Sequence, residues 1–205
     1  MENWVENDWA KGRTEYLTFL VRVKDQAVIG KIRDIQSKIT EFQCIEPCPS
    51  EYLHITVKEI GCFLAQEKKN EDELTKEELY RIISEAKDIL EKFSPFEARL
   101  EKFNNFKSAV VIQAQDGGVI REINGALLDI PGIQKMGHDY PRFLPHVSIA
   151  QYQSEEEYEE FIKYLEQNRD TRVGPLRIDT VELVIAHLPV KERFPRLETI
   201  EEFKL

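Results

Sequence analysis

Residues 53–60 read Leu-His-Ile-Thr-Val-Lys-Glu-Ile, and residues 146–150 read His-Val-Ser-Ile-Ala. Each is a short run rich in β-branched residues, the composition of a strand. Strand side chains alternate between two faces. His54 and Thr56 therefore point one way and Ile55 and Val57 the other. His146 and Ser148 are likewise separated from Val147 and Ile149. In both runs the apolar pair belongs to a core and an imidazole–hydroxyl pair is left for the opposite face.

The segments around these runs also correspond. Upstream of the first lies a strand at 16–23 (YLTFLVRV) and a helix at 25–40 striped by Val28, Ile32, Ile35 and Ile39. Downstream come a helix opened by the capping box Thr75-Lys76-Glu77-Glu78 and stopped before Pro95, then a strand at 96–103. The second half repeats the order. A strand at 109–114 leads through Gly117-Gly118 to a helix striped by Ile120, Ile123, Leu127 and Ile130. After the 146–150 strand, Ser154-Glu155-Glu156-Glu157 reads as a capping box for a helix carrying Phe161, Ile162 and Leu165, and a last strand spans 176–186. The spacing from first strand to histidine is nearly the same in both halves. The expectation is an α+β fold of duplicated βαβ-type units: two antiparallel-rich sheets, outer helices and a central cleft. Residues 1–205 form one bilobal domain, with lobes at 14–103 and 104–190 whose third strands are free to exchange.

Composition narrows the function. The 205 residues are 41% hydrophobic, which suits a globular core, and 38 acidic against 28 basic residues give a net charge of −10. That balance is the opposite of a protein that coats long nucleic acid, so DNA is not an expected partner. No apolar run is long enough for a membrane span, and the start MENWVENDWAKGR lacks a signal-peptide order. Three cysteines, Cys44, Cys48 and Cys62, fit neither a disulfide framework nor a zinc site. A cytoplasmic monomer is expected.

Two imidazoles facing one space suit acid–base chemistry, because an imidazole titrates near neutrality and passes easily between base and acid. Placed on opposite sides of a phosphorus, one takes a proton from the attacking oxygen and the other gives one to the departing oxygen. A hydroxyl beside each donates to a non-bridging phosphate oxygen. No metal-ligand spacing accompanies the pair, and no cofactor is expected. Further candidates for substrate contact are Tyr16 and Phe19 in the first strand, Lys58 after the first motif, and Tyr140, Arg142, Phe143 and Tyr152 around the second. His138 reads as a surface histidine and His187 as structural.

The two phrases, with Leu53 before the first, Lys58 and Gly61 after it, and Phe143-x-Pro145 before the second, resemble the 2H phosphoesterase superfamily, the 2′-5′ RNA ligase and cyclic phosphodiesterase-like proteins. That family is defined by two His-h-Thr/Ser-h motifs, where h is hydrophobic. The resemblance spans about residues 14–190. It implies catalytic roles for His54 and His146 and phosphate-binding roles for Thr56 and Ser148, and a substrate that is a nucleotide or an RNA end. The implied reaction is metal-independent hydrolysis of a 2′,3′-cyclic phosphate to a phosphomonoester, the 2′-phosphate being the expected product. His146 is read as activating water and His54 as protonating the leaving oxygen. The alternatives are 2′-5′ RNA ligation and a nucleotide-binding module without turnover.

Overall fold

The structure is a computed structural model that describes residues 10–188 and 194–205. The start of the N-terminal segment, residues 1–9, lies outside the described residues. In chain order the elements are β1 (Glu15–Arg22), α1 (Gln26–Ile39), β2 (Ile45–Pro47), β3 (His54–Leu64), β4 (Glu73–Leu74), α2 (Lys76–Leu90), β5 (Phe96–Asn105), β6 (Ala109–Gln115), α3 (Val119–Leu127), β7 (His146–Tyr152), α4 (Tyr158–Gln167), β8 (Arg172–Ile178), β9 (Thr180–His187) and β10 (Leu197–Lys204).

The strands join into one sheet in the order β10-β9-β1-β3-β7-β6-β5-β8, with β2 beside β7 and β4 beside β3. All pairs are antiparallel except β3–β4. The expected two sheets are thus fused at their facing strands, β3 and β7, which meet at Ile55 opposite Val147. The sheets do not divide at the boundary between the halves of the chain. β5, from the first half, pairs with β6 and β8, whereas β9, from the second, pairs with β1.

The helices cover one side of the sheet. Ile32 of α1, Ile82 of α2, Ile123 of α3 and Phe161 of α4 share a single apolar cluster with Ile55, Val57, Val147 and Ile149. Each fully buried aliphatic side chain of this kind contributes roughly 1.5–3 kcal/mol. Gln36 is the one polar residue of α1 facing this core. Its amide donates to the carbonyls of Cys48 and Ile149, both at 2.8 Å, which pins α1 to the strand of the second motif.

Three expectations change. The strand read at 176–186 is two strands, β8 and β9, which break at Asp179 and lie in opposite halves of the sheet. The 154–157 capping box does not form: α4 starts after Glu157, which takes a left-handed conformation (φ 57°), and its carboxylate accepts from the Gln43 amide at 2.8 Å instead. β10 goes unannounced, because a bulge between Thr199 and Glu201 breaks its two-residue period. The Thr75 capping box, by contrast, is present with both of its reciprocal hydrogen bonds.

Candidate functional site

The Ile55–Val147 pair sits at the junction of the two lobes, both side chains fully buried on the helix side. Continuing an antiparallel register one residue each way sets His54 opposite Ser148 and Thr56 opposite His146. All four side chains are on the face away from the helices, and all four are half-buried. Directly opposed residues of such a pair have Cβ atoms ~5 Å apart and diagonal ones ~7–8 Å. The histidines are the diagonal pair. Their separation suits a group the size of a phosphate lying between them, with one hydroxyl on each flank.

Both rings are held the same way. His54 Nδ1 is 2.5 Å from the carbonyl oxygen of Tyr52, and His146 Nδ1 is 2.8 Å from that of Leu144, in each case two residues upstream. A carbonyl only accepts, so Nδ1 carries the hydrogen and Nε2 is left with its lone pair. An aromatic ring stands edge-on to each imidazole: Tyr52 to His54 at 5.0 Å between centroids and Phe106 to His146 at 4.7 Å. Phe106 comes from the turn between β5 and β6 and is 38% exposed.

The surroundings set the two histidines apart. Burial lowers His54 to about 4, and the Arg22 guanidinium and His146 add to this against the opposing hydrogen bond to Tyr52. Arg22 is its neighbour on β1 and is itself anchored to Glu182 and to the Glu51 carbonyl. Burial also lowers His146, and His138 adds to this, but the Leu144 carbonyl and the Glu59 carboxylate pull the other way. Glu59 accepts from the Tyr16 hydroxyl at 2.9 Å and lies 3.7 Å from His138 Nε2. Among the described residues no group of three or more His, Cys, Asp or Glu side chains could hold a metal ion.

The remaining candidates separate by burial. Tyr16 is on the motif face, bound to Glu59. Phe19 is fully buried against Phe203, Phe143 is in the core, and Tyr152 packs on Tyr158 and Phe161, so none of these three presents a ring to a ligand. Lys58 is corrected most sharply. A bulge in β3 between Thr56 and Lys58, facing Leu20 and Phe19 of the partner strand, turns it inward. There it is fully buried, pairs with Asp139 at 2.7 Å and donates to the carbonyls of Glu59 and Gln134. Tyr140 is 48% exposed but leans on Gly125 of α3, on the helix layer, and Arg142 is exposed in the same loop. Sequence reasoning missed Arg22, Tyr52, Glu59 and Phe106. Only Tyr52 had a local signal, standing two residues before His54 in the turn that leads into β3.

Sequence comparison matches residues 22–188, most of the chain and both motifs, to the 2′-5′ RNA ligase superfamily. The chain belongs to that family. Solved structures of similar fold include TT0787 of Thermus thermophilus, with 20% identity, a TM-score of 0.69 and 93% of this chain and 97% of that one covered. Escherichia coli LigT without ligand superimposes with 14% identity and a TM-score of 0.64 over 95% and 99% of the two chains. LigT has also been solved with 3′-AMP, at 12% identity, a TM-score of 0.63 and the same coverage. No curated protein sequence matches the chain. At these identities the neighbours establish the α+β fold of this superfamily, while the family match makes a phosphodiesterase-type enzyme of the 2H kind the right class. No helix among the described residues is long and apolar enough to cross a membrane.

Proposed function

We propose that the chain hydrolyses the 2′,3′-cyclic phosphate of a nucleoside or an RNA end to the 2′-phosphate, using His54 and His146 as the proton-transfer pair. The observation that carries this reading is the matched orientation of the two imidazoles. Both have Nδ1 tied to a carbonyl, and both offer Nε2 on the one face where Thr56 and Ser148 also lie. In the reaction a water oxygen bonds to phosphorus and the bond from phosphorus to O3′ breaks. One Nε2 takes the proton of the water, and the other imidazole, protonated, delivers its proton to O3′. Thr56 and Ser148 donate to the non-bridging oxygens, where charge builds up.

The charges nearby favour an assignment opposite to the one read from sequence. Burial, reinforced by Arg22, holds His54 neutral, as a base needs, whereas at His146 the Glu59 carboxylate works against burial and favours the protonated form, as an acid needs. The complex of LigT with 3′-AMP supports a nucleotide as ligand. Ligation to a 2′-5′ linkage is the same displacement through the same groups, with the 5′-hydroxyl of a second ribose in place of water and O3′ again leaving.

The test is phosphorus NMR of the protein with each 2′,3′-cyclic mononucleotide and with a short RNA ending in the cyclic phosphate. A 2′-phosphate product is expected. His54→Ala and His146→Ala should each cost on the order of 10² to 10⁴ in rate, and Thr56→Ala or Ser148→Ala about 1.5–3 kcal/mol of transition-state stabilisation. Unchanged spectra with every substrate, or full activity in either histidine variant, would overturn the reading.

A further inference from the structure

Each imidazole is set by the carbonyl two residues upstream, and in both lobes the carbonyl one residue further back accepts from an arginine. Arg22 Nη1 donates to the Glu51 carbonyl at 2.9 Å, and Arg121 Nε donates to the Phe143 carbonyl at 3.0 Å. Glu51 and Phe143 each lie three residues before their histidine. Peptide planes are rigid, so only the φ and ψ of Tyr52 stand between the Glu51 carbonyl and the one that holds His54. Leu144 stands in the same way between Phe143 and His146. Among hydrogen bonds between described residues, only Arg13 also donates from its guanidinium to a main-chain carbonyl, and it does so within its own turn, to Ala10.

Both arginines are themselves fixed. Glu182, only 2% exposed, accepts from Arg22 Nε at 3.2 Å and from Lys24 and Thr199 at 2.8 and 2.7 Å. This ties β1, β9 and β10 to the turn before β3. Arg121 is half-buried on α3, where Asn124, one turn on, donates to the Val57 carbonyl and to Asp139 and accepts from the Tyr140 amide. Those bonds fasten α3 to β3 and to the loop that leads to Phe143. The two arginines are not copies made by the repeat. In the matched order of elements β1 corresponds to β6 and α1 to α3, yet one arginine stands on β1 and the other on α3. Two unrelated elements converge on one position relative to the histidine, which packing alone does not require. Arg22 adds its charge to His54, whereas the charges felt by His146 are those of His138 and Glu59. What the two clamps share is therefore geometric.

We propose that Arg22 and Arg121 are positioning residues for the two histidines, each locking the carbonyl that selects the Nδ1–H tautomer and aims Nε2 at the motif face. This deepens the proposed function and rests on it for what Nε2 does there. Neither guanidinium needs to touch the substrate. An imidazole whose carbonyl partner drifts turns about its side-chain bonds and shares its hydrogen between both nitrogens, so fewer molecules present a lone pair at Nε2. A misplacement of about 1 Å in such a group costs up to about 10²-fold in rate. Through Glu182 and Thr199, which anchor Arg22, β10 at the edge of the sheet also helps to hold His54.

The experiment reads histidine tautomers directly, by long-range proton–nitrogen NMR of isotope-labelled protein at about pH 8, where both imidazoles are neutral. It is run beside kcat and KM for the cyclic phosphate. Wild type should show His54 and His146 as Nδ1–H tautomers. Arg22→Met should give a mixture at His54 and leave His146 unchanged, and Arg121→Met should do the opposite. Each should lower kcat by about 10- to 100-fold with KM unmoved. Arg177→Met, which removes a surface guanidinium paired with Asp179, is the control. Arg121→Met leaves the Glu182 cluster intact, so the test stands even where Arg22→Met fails to fold. Unmoved tautomers or full kcat in a folded variant, or both histidines changing together in either one, would overturn the proposal. Tautomer changes confined to one lobe, in a protein that turns over no cyclic phosphate, would leave the clamps standing and remove the hydrolytic reading instead. Turnover with unmoved tautomers would do the reverse.

Discussion

The hydrogen bond from Nδ1 of each histidine to a carbonyl two residues upstream decides what the ring can do. It selects the tautomer with a free Nε2 and removes the rotation that would otherwise cost entropy in the transition state. With His54 as base and His146 as acid, activity needs the first neutral and the second charged. His54 is lowered to about 4, so kcat/KM should fall as the pH drops through that region. His146 is lowered as well, so the alkaline limb should fall below the ordinary imidazole value of about 6.5. The kcat/KM maximum is therefore expected on the acid side of neutrality. The kcat profile should sit at higher pH, because a bound phosphate anion favours both imidazolium forms. Glu59→Gln removes the charge that holds the proton on His146, and should move the alkaline limb further towards acid. An unmoved limb, or a shift of the acid limb alone, would reverse the assignment of the two histidines.

Among the elements, β3 carries the most dissimilar tasks. Its first three residues present the first motif, and the bulge facing Phe19 and Leu20 then rotates Lys58 into the interior. The Lys58 ammonium there holds the 131–139 segment through Asp139 and the Gln134 carbonyl, and Asn124 and the Met136 amide complete the Asp139 shell. Gly61 makes room for that segment: at φ 77° a Cβ would stand 2.8 Å from the Cβ of Gln134. The segment in turn delivers His138 to Glu59. Removing one partner of a buried pair leaves a bare charge, so Lys58→Met should cost about 3–5 kcal/mol in urea unfolding. Lys58→Met combined with Asp139→Leu should recover much of that loss. Asp139 is lowered despite burial, because Lys58 and the Met136 amide stabilise its carboxylate. Its contribution is present above the unfolded carboxylate value of about 3.9 and is lost as pH falls through the folded one. In sequence, Lys58 is one more cation after a motif. Only the bulge distinguishes it from a solvent-facing lysine, and a bulge depends on the neighbouring strand, which is remote in the chain.

At the scale of the molecule, each lobe is completed by the other half of the chain. β5 closes the sheet of the second half, β9 closes that of the first, and both lobes share one apolar cluster. Fragments 1–105 and 106–205, each made alone, should therefore fail to give a cooperative unfolding transition, and mixing them should restore it. A folded, cooperative fragment 1–105 would contradict this account. What the sequence determined by itself are the features written in neighbouring residues: the helical stripes, the Thr75 cap, and the two-residue alternation that sorts Ile55 and Val147 from His54 and His146. These follow from backbone periodicity, which acts over one or two turns. The tertiary structure decided the pairing of β3 with β7, the exchange of strands, the burial of Phe19, Phe143 and Tyr152, and the charges set beside each histidine. Those depend on which strands meet, and a strand's own residues carry its pattern without naming its neighbour.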